Sequence, residues 1–264
     1  MSSFQDSVVW ITGASSGIGA EAAKQFSKLG AVVVLSARNV EKLEQVRNQL
    51  INPDQHLVLP LDLENSANFS ELVNTVVEKF GKIDYLINNG GLSQRGEAHA
   101  TPIEIDRRIM EINYFGTVAL TKAVLPVMQK QQSGHIVAIS SIAGKFGFYW
   151  RSAYSASKHA LQGFFESLLL EEAKNNIFVT IAYPGKIYTE ISMSALNSDG
   201  EPHNKMDHNQ ATGMPVEDCV KKLITAIRKK KKSVLIGNKE IQAVRIKRYF
   251  PRLFWKIIKK QKPV

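Results

Sequence analysis

A glycine-rich turn close to the N-terminus constrains the possible fold of this chain more than any other feature. Residues 12–19 follow an apolar run at 8–11, which predicts a buried strand, and precede a helical pattern that stops at Gly30. A turn of this kind directs backbone N–H groups and the positive end of a helix towards a phosphate. The glycines are spaced Gly-x-x-x-Gly-x-Gly, at Gly13, Gly17 and Gly19. Their place between a strand and a helix predicts a nucleotide-binding site.

Strand and helix patterns alternate along the rest of the chain. Apolar runs at 32–36, 56–61, 84–87, 136–139 and 233–236 alternate with helical patterns at 40–50, 66–80, 102–130, 152–175 and 216–230. This alternation implies right-handed crossovers between parallel strands. We therefore predict an α/β fold: one doubly wound, Rossmann-like, mostly parallel sheet with helices on both faces, spanning residues 1–240 and followed by a basic extension at 241–264.

Tyr154 and Lys158 lie four positions apart at the start of the helical pattern 152–175. Residues at this spacing share one helix face, and none of the other six tyrosines has a lysine at the same spacing. A nearby cation favours the phenolate and lowers the pKa of a tyrosine. Tyr154 is therefore a candidate proton donor to a carbonyl oxygen. By itself, the pair also fits a solvated helix face.

The second strand, at 32–36, ends in Ala37-Arg38. A carboxylate at this position binds the ribose hydroxyls of NAD, whereas an arginine accommodates the 2′-phosphate of NADP. Arg38 therefore predicts NADP(H) as the cofactor, although an arginine is also common at any helix start.

Together these motifs resemble those of the single-domain short-chain dehydrogenase/reductases, from about residue 8 to residue 237. Asn88-Asn-Gly-Gly91 matches a family motif that usually reads Asn-Asn-Ala-Gly, so Gly90 is a departure. The resemblance implies that Ser141 orients the substrate carbonyl and that Tyr154 transfers the proton. It implies that Lys158 lowers the pKa of Tyr154 and holds the nicotinamide ribose, and that Asn113 links Lys158 to solvent through water. Taken singly, each of these residues also has an ordinary structural reading.

The resemblance also implies a set of cofactor-binding positions. These are Gly13, Ser15, Ser16, Gly17, Ile18, Gly19, Arg38, Asp62, Leu63, Asn89, Gly90, Tyr154, Lys158, Pro184, Gly185, Ile187 and Thr189. The implied activity is an NADP(H)-dependent oxidoreductase, a carbonyl reductase or alcohol dehydrogenase. The alternative is a non-catalytic NADP(H)-binding protein that acts as a sensor or scaffold at a membrane or partner.

Substrate preference is predicted from the segments that the family uses to line its pocket. Here they carry aromatic, aliphatic and methionine side chains: Phe146, Phe148, Tyr149, Trp150, Ile191, Met193, Leu196, Met206 and Met214. Such walls suit an apolar, bulky ketone, aldehyde or secondary alcohol. Plain core packing is the alternative for each residue. The polar stretch 197–210 is interpreted as a mobile lid.

The positive charge is concentrated at the C-terminal end. Residues 221–264 carry sixteen Lys or Arg against one acid, a net +15, whereas the first 220 residues carry eighteen against twenty-three, a net −5. Residues 249–260 predict an amphipathic helix with Pro251 in its first turn. Its apolar stripe is Leu253, Phe254, Ile257 and Ile258, with Trp255 at the edge. The stripe suits packing on this protein as a lid or subunit contact, peripheral contact with an anionic membrane, or an acidic partner.

Other features limit partners and location. We expect no nucleic-acid partner, because no recognition motif accompanies the charge. The lone Cys219 excludes an internal disulfide, and the six histidines lack ligand spacing, so no metal is predicted. No apolar run approaches a membrane span and no secretory signal begins the sequence, so we expect a cytoplasmic protein that can associate peripherally with membranes. From the resemblance we expect a homodimer or homotetramer, paired through the helices at 102–130 and 152–175.

Overall fold

A seven-stranded parallel sheet forms the centre of the protein. The computed structural model describes residues 4–205, 207 and 211–261. The strands are β1 (Val8–Thr12), β2 (Val32–Ser36), β3 (Leu57–Val58), β4 (Tyr85–Asn88), β5 (Gln94–Arg95), β6 (Gly134–Ile139), β7 (Ile177–Pro184), β8 (Leu196–Asn197) and β9 (Ser233–Ile236). The large sheet has the order β3-β2-β1-β4-β6-β7-β9, and β5 pairs with β8 in a separate small sheet. The predicted doubly wound α/β fold is confirmed.

Helices cover both faces of this sheet. They are α1 (Gly17–Lys28), α2 (Val40–Arg47), α3 (Phe69–Phe80), α4 (Ile103–Met110), α5 (Thr117–Gln131), α6 (Ser152–Glu171), α7 (Val216–Arg228), α8 (Gln242–Tyr249) and α9 (Pro251–Ile258). Strand β1 is buried at every position, as a strand covered on both faces must be. Val9 and Ile11 belong to the core beneath α1 and α7, whereas Val8 and Trp10 belong to the core beneath α3, α5 and α6. Successive side chains of this strand point to opposite faces of the sheet and therefore pack into two different cores.

From β1, the chain adds β2 and β3 on one side of the large sheet, and then β4, β6, β7 and β9 on the other side. Strand β1 pairs with β2 on one side and with β4 on the other, both in parallel. In open parallel sheets, ligands bind outside the carboxyl ends of the strands at such a switch point. The strand ends Thr12, Asn88 and Ile139 all lie on this edge, which positions the site described below.

Two predicted elements differ from the structure. The expected strand 56–61 is only Leu57–Val58, at the edge of the sheet, and His56 belongs to the preceding turn, where its N–H donates to the Pro53 carbonyl at 3.1 Å. Leu59 and Leu61 still donate to the Leu35 and Ala37 carbonyls, at 2.9 and 3.2 Å. The expected helix 102–130 is interrupted by a π-helical turn, Glu111–Gly116. In this turn a Cβ at Gly116 would meet the Leu63 carbonyl oxygen, so glycine permits the close approach.

The C-terminal segment contains two helices where one was predicted. Helix α8 precedes the predicted amphipathic helix, which is observed as α9 with Pro251 at its start. Phe254 is 2% exposed, whereas Leu253, Trp255 and Ile257 are exposed. The centre of the apolar stripe therefore packs on this protein and its edges face outwards. No helix in the described part of the chain is long and apolar enough to cross a bilayer.

Candidate active site

The glycine-rich turn between β1 and α1 has a left-handed backbone at two positions. Gly13 has φ +64° and Gly17 has φ +53°, a region that favours glycine. A Cβ at Gly13 would lie 2.9 Å from both Asn89 Nδ2 and the Gly90 Cα. Ser16, the N-cap of α1, makes no side-chain hydrogen bond to the first turn, and Ser15 precedes it in the same turn. The start of α1 is therefore a cradle with free backbone donors, which fits a phosphate.

The end of β4 is locked onto this turn. The backbone N–H groups of Asn89 and Gly90 donate to Thr12 Oγ1 at 3.0 and 2.9 Å, and Asn89 Nδ2 donates to the Thr12 and Gly13 carbonyls. A Cβ at Gly90 would lie 2.7 Å from Leu63 Cδ1. The glycine at position 90, where the family motif usually has alanine, thus packs closely against Leu63.

Two further cofactor positions lie at neighbouring strand ends. Arg38 follows β2 and Asp62 lies beyond β3, and both side chains are exposed on the carboxyl edge of the sheet. On the other side of the turn, a Cβ at Gly17 would lie 3.3 Å from Thr189 Cγ2. The segment after β7 therefore approaches the glycine-rich turn, as a dinucleotide site requires. Ile18, Asn89, Pro184, Gly185, Ile187 and Thr189 line one cavity with Tyr154 and Lys158.

The candidate catalytic side chains converge from β6 and α6. Ser141 directly follows β6 and its short exit, and its Oγ accepts a hydrogen bond from the Ala143 N–H at 3.1 Å. Tyr154 lies in the first turn of α6, is 8% exposed, and hydrogen-bonds to Ser141. Lys158 lies one turn later, with Nζ 5.8 Å from the Tyr154 ring centroid and donating to the Ile139 carbonyl at 2.9 Å. A carbonyl oxygen between Ser141 and Tyr154 would meet two hydroxyl groups.

Burial dominates the electrostatics of this group. It raises the pKa of Tyr154 above its ordinary value of 10.0, although the hydrogen bond to Ser141 and the charges of Arg151 and Arg95 lower it. Burial also lowers the pKa of Lys158 to about 8. The net shift is opposite to the one expected beside a cation, because the buried phenolate loses its solvation by water, and the contribution of Lys158 to lowering the pKa of Tyr154 stays a prediction. The phenol therefore keeps its proton at neutral pH.

Asn113 is placed by the π-helical turn and is fully buried. Its Oδ1 accepts from the Leu92 N–H at 2.7 Å, and its Nδ2 donates to the Leu92 carbonyl at 2.9 Å and to Ser157 Oγ at 3.0 Å. A Cβ at Gly91 would lie 2.8 Å from Asn113 Oδ1 and 3.5 Å from Lys158 Nζ. Asn113 therefore lies beside Lys158 as predicted. Its role in a water relay stays a prediction.

The cavity has a volume of about 450 Å³. Of the nine predicted lining residues, Phe146, Phe148 and Ile191 line it. Tyr149, Trp150, Met193, Leu196 and Met214 are not among its described lining residues, and Met206 lies outside the described residues. Leu196 is instead buried against Ile109 and Ala153, and Met214 lies in the core beneath α1. Helices α8 and α9 contribute Ala243, Ile246, Ile257 and Ile258 to the wall.

The sequence reasoning missed Gln94, which holds the start of α6. Gln94 Oε1 accepts hydrogen bonds from the backbone N–H groups of Ala153 and Tyr154, at 2.9 and 3.4 Å. N–H groups in the first turn of a helix have no partner within the helix. The side chain of Arg151, the N-cap residue, does not bond to them. A cap from a strand 59 residues away leaves no local signal.

A buried ion-pair cluster was also missed. Asp207 lies within the polar stretch 197–210, interpreted as a lid, yet its side chain is buried and bonded to Arg95 and Arg151. All three residues line the cavity. Ion pairing across 112 residues of sequence has no pattern to reveal it. Among the described residues, no group of three or more His, Cys, Asp and Glu side chains is placed to hold a metal ion.

Comparison with known proteins agrees with this geometry. Residues 7–199 match the family model for short chain dehydrogenase. The chain is 43% identical over 260 residues to the mouse protein "Dehydrogenase/reductase SDR family member 7B", covering 96% of this chain and 80% of the mouse protein.

Solved structures share the fold over nearly the whole chain. A short chain dehydrogenase/reductase from Burkholderia phymatum, in complex with NAD, superposes with a TM-score of 0.84 at 22% identity, covering 100% of this chain and 98% of that one. A metagenomic short-chain oxidoreductase, in complex with NADP, gives a TM-score of 0.73 at 27% identity, covering 89% and 98%. The family match, the mouse relative and the ordered motifs at the sheet edge show that this chain is an oxidoreductase that belongs to the short-chain dehydrogenase/reductase family.

Proposed function

We propose that this oxidoreductase uses NADP(H) to interconvert a lipophilic ketone or aldehyde and the corresponding alcohol. The observation that carries the proposal is the convergence of Ser141, Tyr154 and Lys158 on one largely apolar cavity that reaches the cofactor cradle. The nicotinamide, when bound, supplies or accepts the hydride. Ser141 orients the carbonyl oxygen, and Tyr154 gives that oxygen its proton in the reductive direction. Lys158 stabilises the resulting phenolate.

The preference for NADP(H) rests on Arg38. Its side chain is exposed at the end of β2, where the ribose of a dinucleotide lies in folds of this type, and the residues next to it in the sequence, Ala37 and Asn39, are not acidic. A guanidinium can bind a 2′-phosphate with two parallel hydrogen bonds. One fold neighbour was solved with NAD and another with NADP, so the fold alone does not distinguish the two cofactors. The proposed preference therefore depends on Arg38.

The preference for lipophilic substrates rests on the cavity wall. Apolar side chains come from the segment after Ser141, the segment after β7 and the C-terminal helices, including Phe146, Phe148, Ile191, Ile246 and Ile258. Burying apolar substrate surface against such a wall contributes about 25 cal/mol per Å². Turnover should therefore improve as the apolar part of the substrate grows, until the cavity is filled.

The test follows NADPH and NADH oxidation with ketones and aldehydes graded in size and apolarity, with Tyr154→Phe as the control. Turnover that prefers NADPH and large apolar substrates, and that is lost in Tyr154→Phe, supports the proposal. Tight NADPH binding without turnover across the whole panel would favour the non-catalytic alternative, a sensor or scaffold. The intact catalytic set argues against that alternative, since a binding protein needs no proton donor.

We also propose that the protein is cytoplasmic and contacts anionic membranes through its C-terminal helices. Tyr249, Phe250, Leu253, Trp255 and Ile257 are all at least 42% exposed. Residues 242–261 add seven Lys or Arg and no acid. Aromatic side chains favour the membrane interface, and each basic residue near anionic lipid contributes about 1 kcal/mol.

Co-sedimentation with vesicles tests this contact. Wild-type protein should bind phosphatidylserine-containing vesicles and bind pure phosphatidylcholine much less. Phe250→Ser with Trp255→Ser should weaken binding, whereas Ile51→Ser, at another exposed apolar residue, should not. Equal sedimentation of all three proteins would refute the contact.

We further propose a homodimer or homotetramer. Phe115, between α4 and α5, is 52% exposed, and Leu170 of α6 is 74% exposed. These are the helices through which the resemblance predicts pairing. Light scattering during size-exclusion chromatography should report a multimer that Leu170→Ser weakens, and a monomer at all concentrations would contradict the proposal.

A further inference from the structure

Asp207 is a buried carboxylate that two arginines hold in the wall of the active-site cavity. Its Oδ2 accepts hydrogen bonds from Arg95 Nε at 2.9 Å and from Arg151 Nη2 at 3.0 Å, and Arg95 Nη2 also donates to it. The side chains of Asp207 and Arg95 are each 2% exposed, and that of Arg151 is 12% exposed. These residues line the same cavity as Tyr154. We call this group the Asp207 cluster.

The Asp207 cluster carries excess positive charge. Among the described residues, two guanidinium groups face one carboxylate, and His203 Nε2 lies 3.8 Å from Asp207 Oδ1. Burial, followed by the charge of Arg95, lowers the pKa of Arg151 to about 10. A buried excess charge costs free energy, and such groups are concentrated at functional sites.

Arg151 is tied to the proton donor by the start of α6. It is the N-cap residue of this helix, and its carbonyl accepts from the Ser155 N–H at 2.8 Å. Its side chain lines the same cavity as that of Tyr154, and its charge lowers the pKa of the Tyr154 phenol. Arg151 Nη1 donates to the Tyr149 carbonyl at 3.0 Å, so two contacts fix the guanidinium. The cation is therefore held at a defined place in the wall of the cavity that Tyr154 also lines.

We propose that Arg151 is a second cation of the proton-transfer site, alongside Lys158, and that Asp207 is a positioning residue that holds Arg151 there and limits its field. The inference rests on the proposed function only in taking Tyr154 as the proton donor. The charge of Arg151 stabilises the phenolate that remains when Tyr154 has given up its proton, and the charge of Asp207 opposes that stabilisation. Removing the two charges should therefore change the proton affinity of Tyr154 in opposite directions.

The other described groups that face Tyr154 do not form a pair with opposite effects on its proton affinity, as Arg151 and Asp207 do. On α6, Lys158 Nζ lies 5.8 Å from the Tyr154 ring centroid. From the end of β6, Ser141 supplies a hydrogen bond, and from β5, Arg95 adds a charge that acts in the same direction as that of Arg151. These groups are present in every variant compared below, so a difference between variants reports the altered charge.

The test is a spectroscopic titration of the tyrosinate in the protein without substrate. Tyr154 is isolated by subtracting, for each variant, the titration of the same protein carrying Tyr154→Phe. Arg151→Gln should raise the midpoint by about one pH unit, and Asp207→Asn should lower it by a similar amount. Arg151→Lys and Asp207→Glu keep the charges and should stay near wild type. Arg107→Gln removes an exposed arginine on α4 and should change nothing.

The signs of the two shifts decide the outcome. No shift, or shifts of Arg151→Gln and Asp207→Asn in the same direction, would overturn the proposal, because loosened packing alone moves both in the same way. If thermal melting shows that Arg151→Gln does not fold, the direction for Asp207→Asn decides alone. The high-pH limb of kcat/KM for reduction should move with the same signs. If the two variants shift in opposite directions but the wild-type protein reduces no carbonyl, the proposed function is refuted and only the effect of the two charges on Tyr154 remains.

Discussion

Phe254 of α9 packs edge-on against Phe146, with ring centroids 5.1 Å apart and ring planes at 62°. Phe146 follows the candidate catalytic Ser141 by five residues and lines the cavity, and Ile257 and Ile258 of α9 line it too. Tyr149 reinforces the contact, since its hydroxyl donates to the Lys259 carbonyl at 3.3 Å. The C-terminal helix is therefore part of the cavity wall, which agrees with one of the three interpretations of the basic extension, packing on this protein.

Phe254→Ala should weaken substrate binding more than it weakens the fold. Deleting a buried phenylalanine costs about 3–5 kcal/mol in a well-packed core, but here the loss can be limited to release of a terminal helix. We expect KM for large apolar substrates to rise several-fold, with faster tryptic cleavage after residue 245 and a small change in Tm. Trp255→Ala, at an exposed neighbour, is the control. An unchanged cleavage rate and KM would show that α9 is not held by this contact.

Arg38→Asp should reverse the cofactor preference. The substitution removes the cation proposed for the 2′-phosphate and supplies a carboxylate for the ribose hydroxyls. We expect the ratio of kcat/KM for NADPH to that for NADH to fall by about 10–100-fold, corresponding to about 1.4–2.8 kcal/mol. Arg107→Asp makes the same change of charge on the surface of α4 and should leave the ratio unaltered. A wild-type enzyme that prefers NADH would contradict the assignment at the outset.

Glycine-to-alanine substitutions should have opposite effects at two helical positions. At Gly19 a Cβ would meet the Gly13 carbonyl oxygen and lie 2.6 Å from Asn89 Nδ2, so Gly19→Ala should destabilise the protein and abolish nucleotide binding. At Gly163, within α6, a Cβ would meet nothing within 4 Å. Gly163→Ala should therefore add about 0.5–1 kcal/mol of stability through helix propensity. Thermal melting and NADPH fluorescence titration check both, and equal losses at the two positions would refute the cradle geometry.

Lys158→Met should stabilise the protein without its cofactor at neutral pH. Burial lowers the pKa of Lys158 from 10.5 to about 8. Below pH 8 the lysine is charged in both the folded and unfolded states, so the full cost of burying the charge is present. Between about pH 8 and 10.5 the unfolded state binds more protons, so the wild-type stability rises with pH by up to about 3 kcal/mol.

The stability advantage of Lys158→Met should therefore be largest near neutral pH and should shrink as the pH rises through this window. Thermal unfolding from pH 7 to 10 measures it, with Lys122→Met, at an exposed lysine of α5, as the control. An advantage that does not change with pH would mean that the altered volume, and not the buried charge, is responsible.

The sequence determined the fold class and most of the site because their signals are local. A strand, a glycine-rich turn and a helix within residues 8–30 specify the cradle for a phosphate, and the spacing of Tyr154 and Lys158 places them on one helix face. Where one residue overrode a pattern, its chemistry explains the difference. The close approach of Gly116 to Leu63 accompanies the π-helical turn that carries Asn113.

Only the tertiary structure decided how the site is held together. Gln94 caps α6 from a distant strand, Asp207 is buried between Arg95 and Arg151, and Phe254 closes on Phe146. These pairs join residues between about fifty and just over one hundred positions apart, and no periodicity or spacing links such positions. Burial likewise reversed the expected direction of the Tyr154 pKa shift, because the loss of water around a phenolate depends on everything packed around it. Local pattern specified which groups do the chemistry, and packing of distant segments set their charge and position.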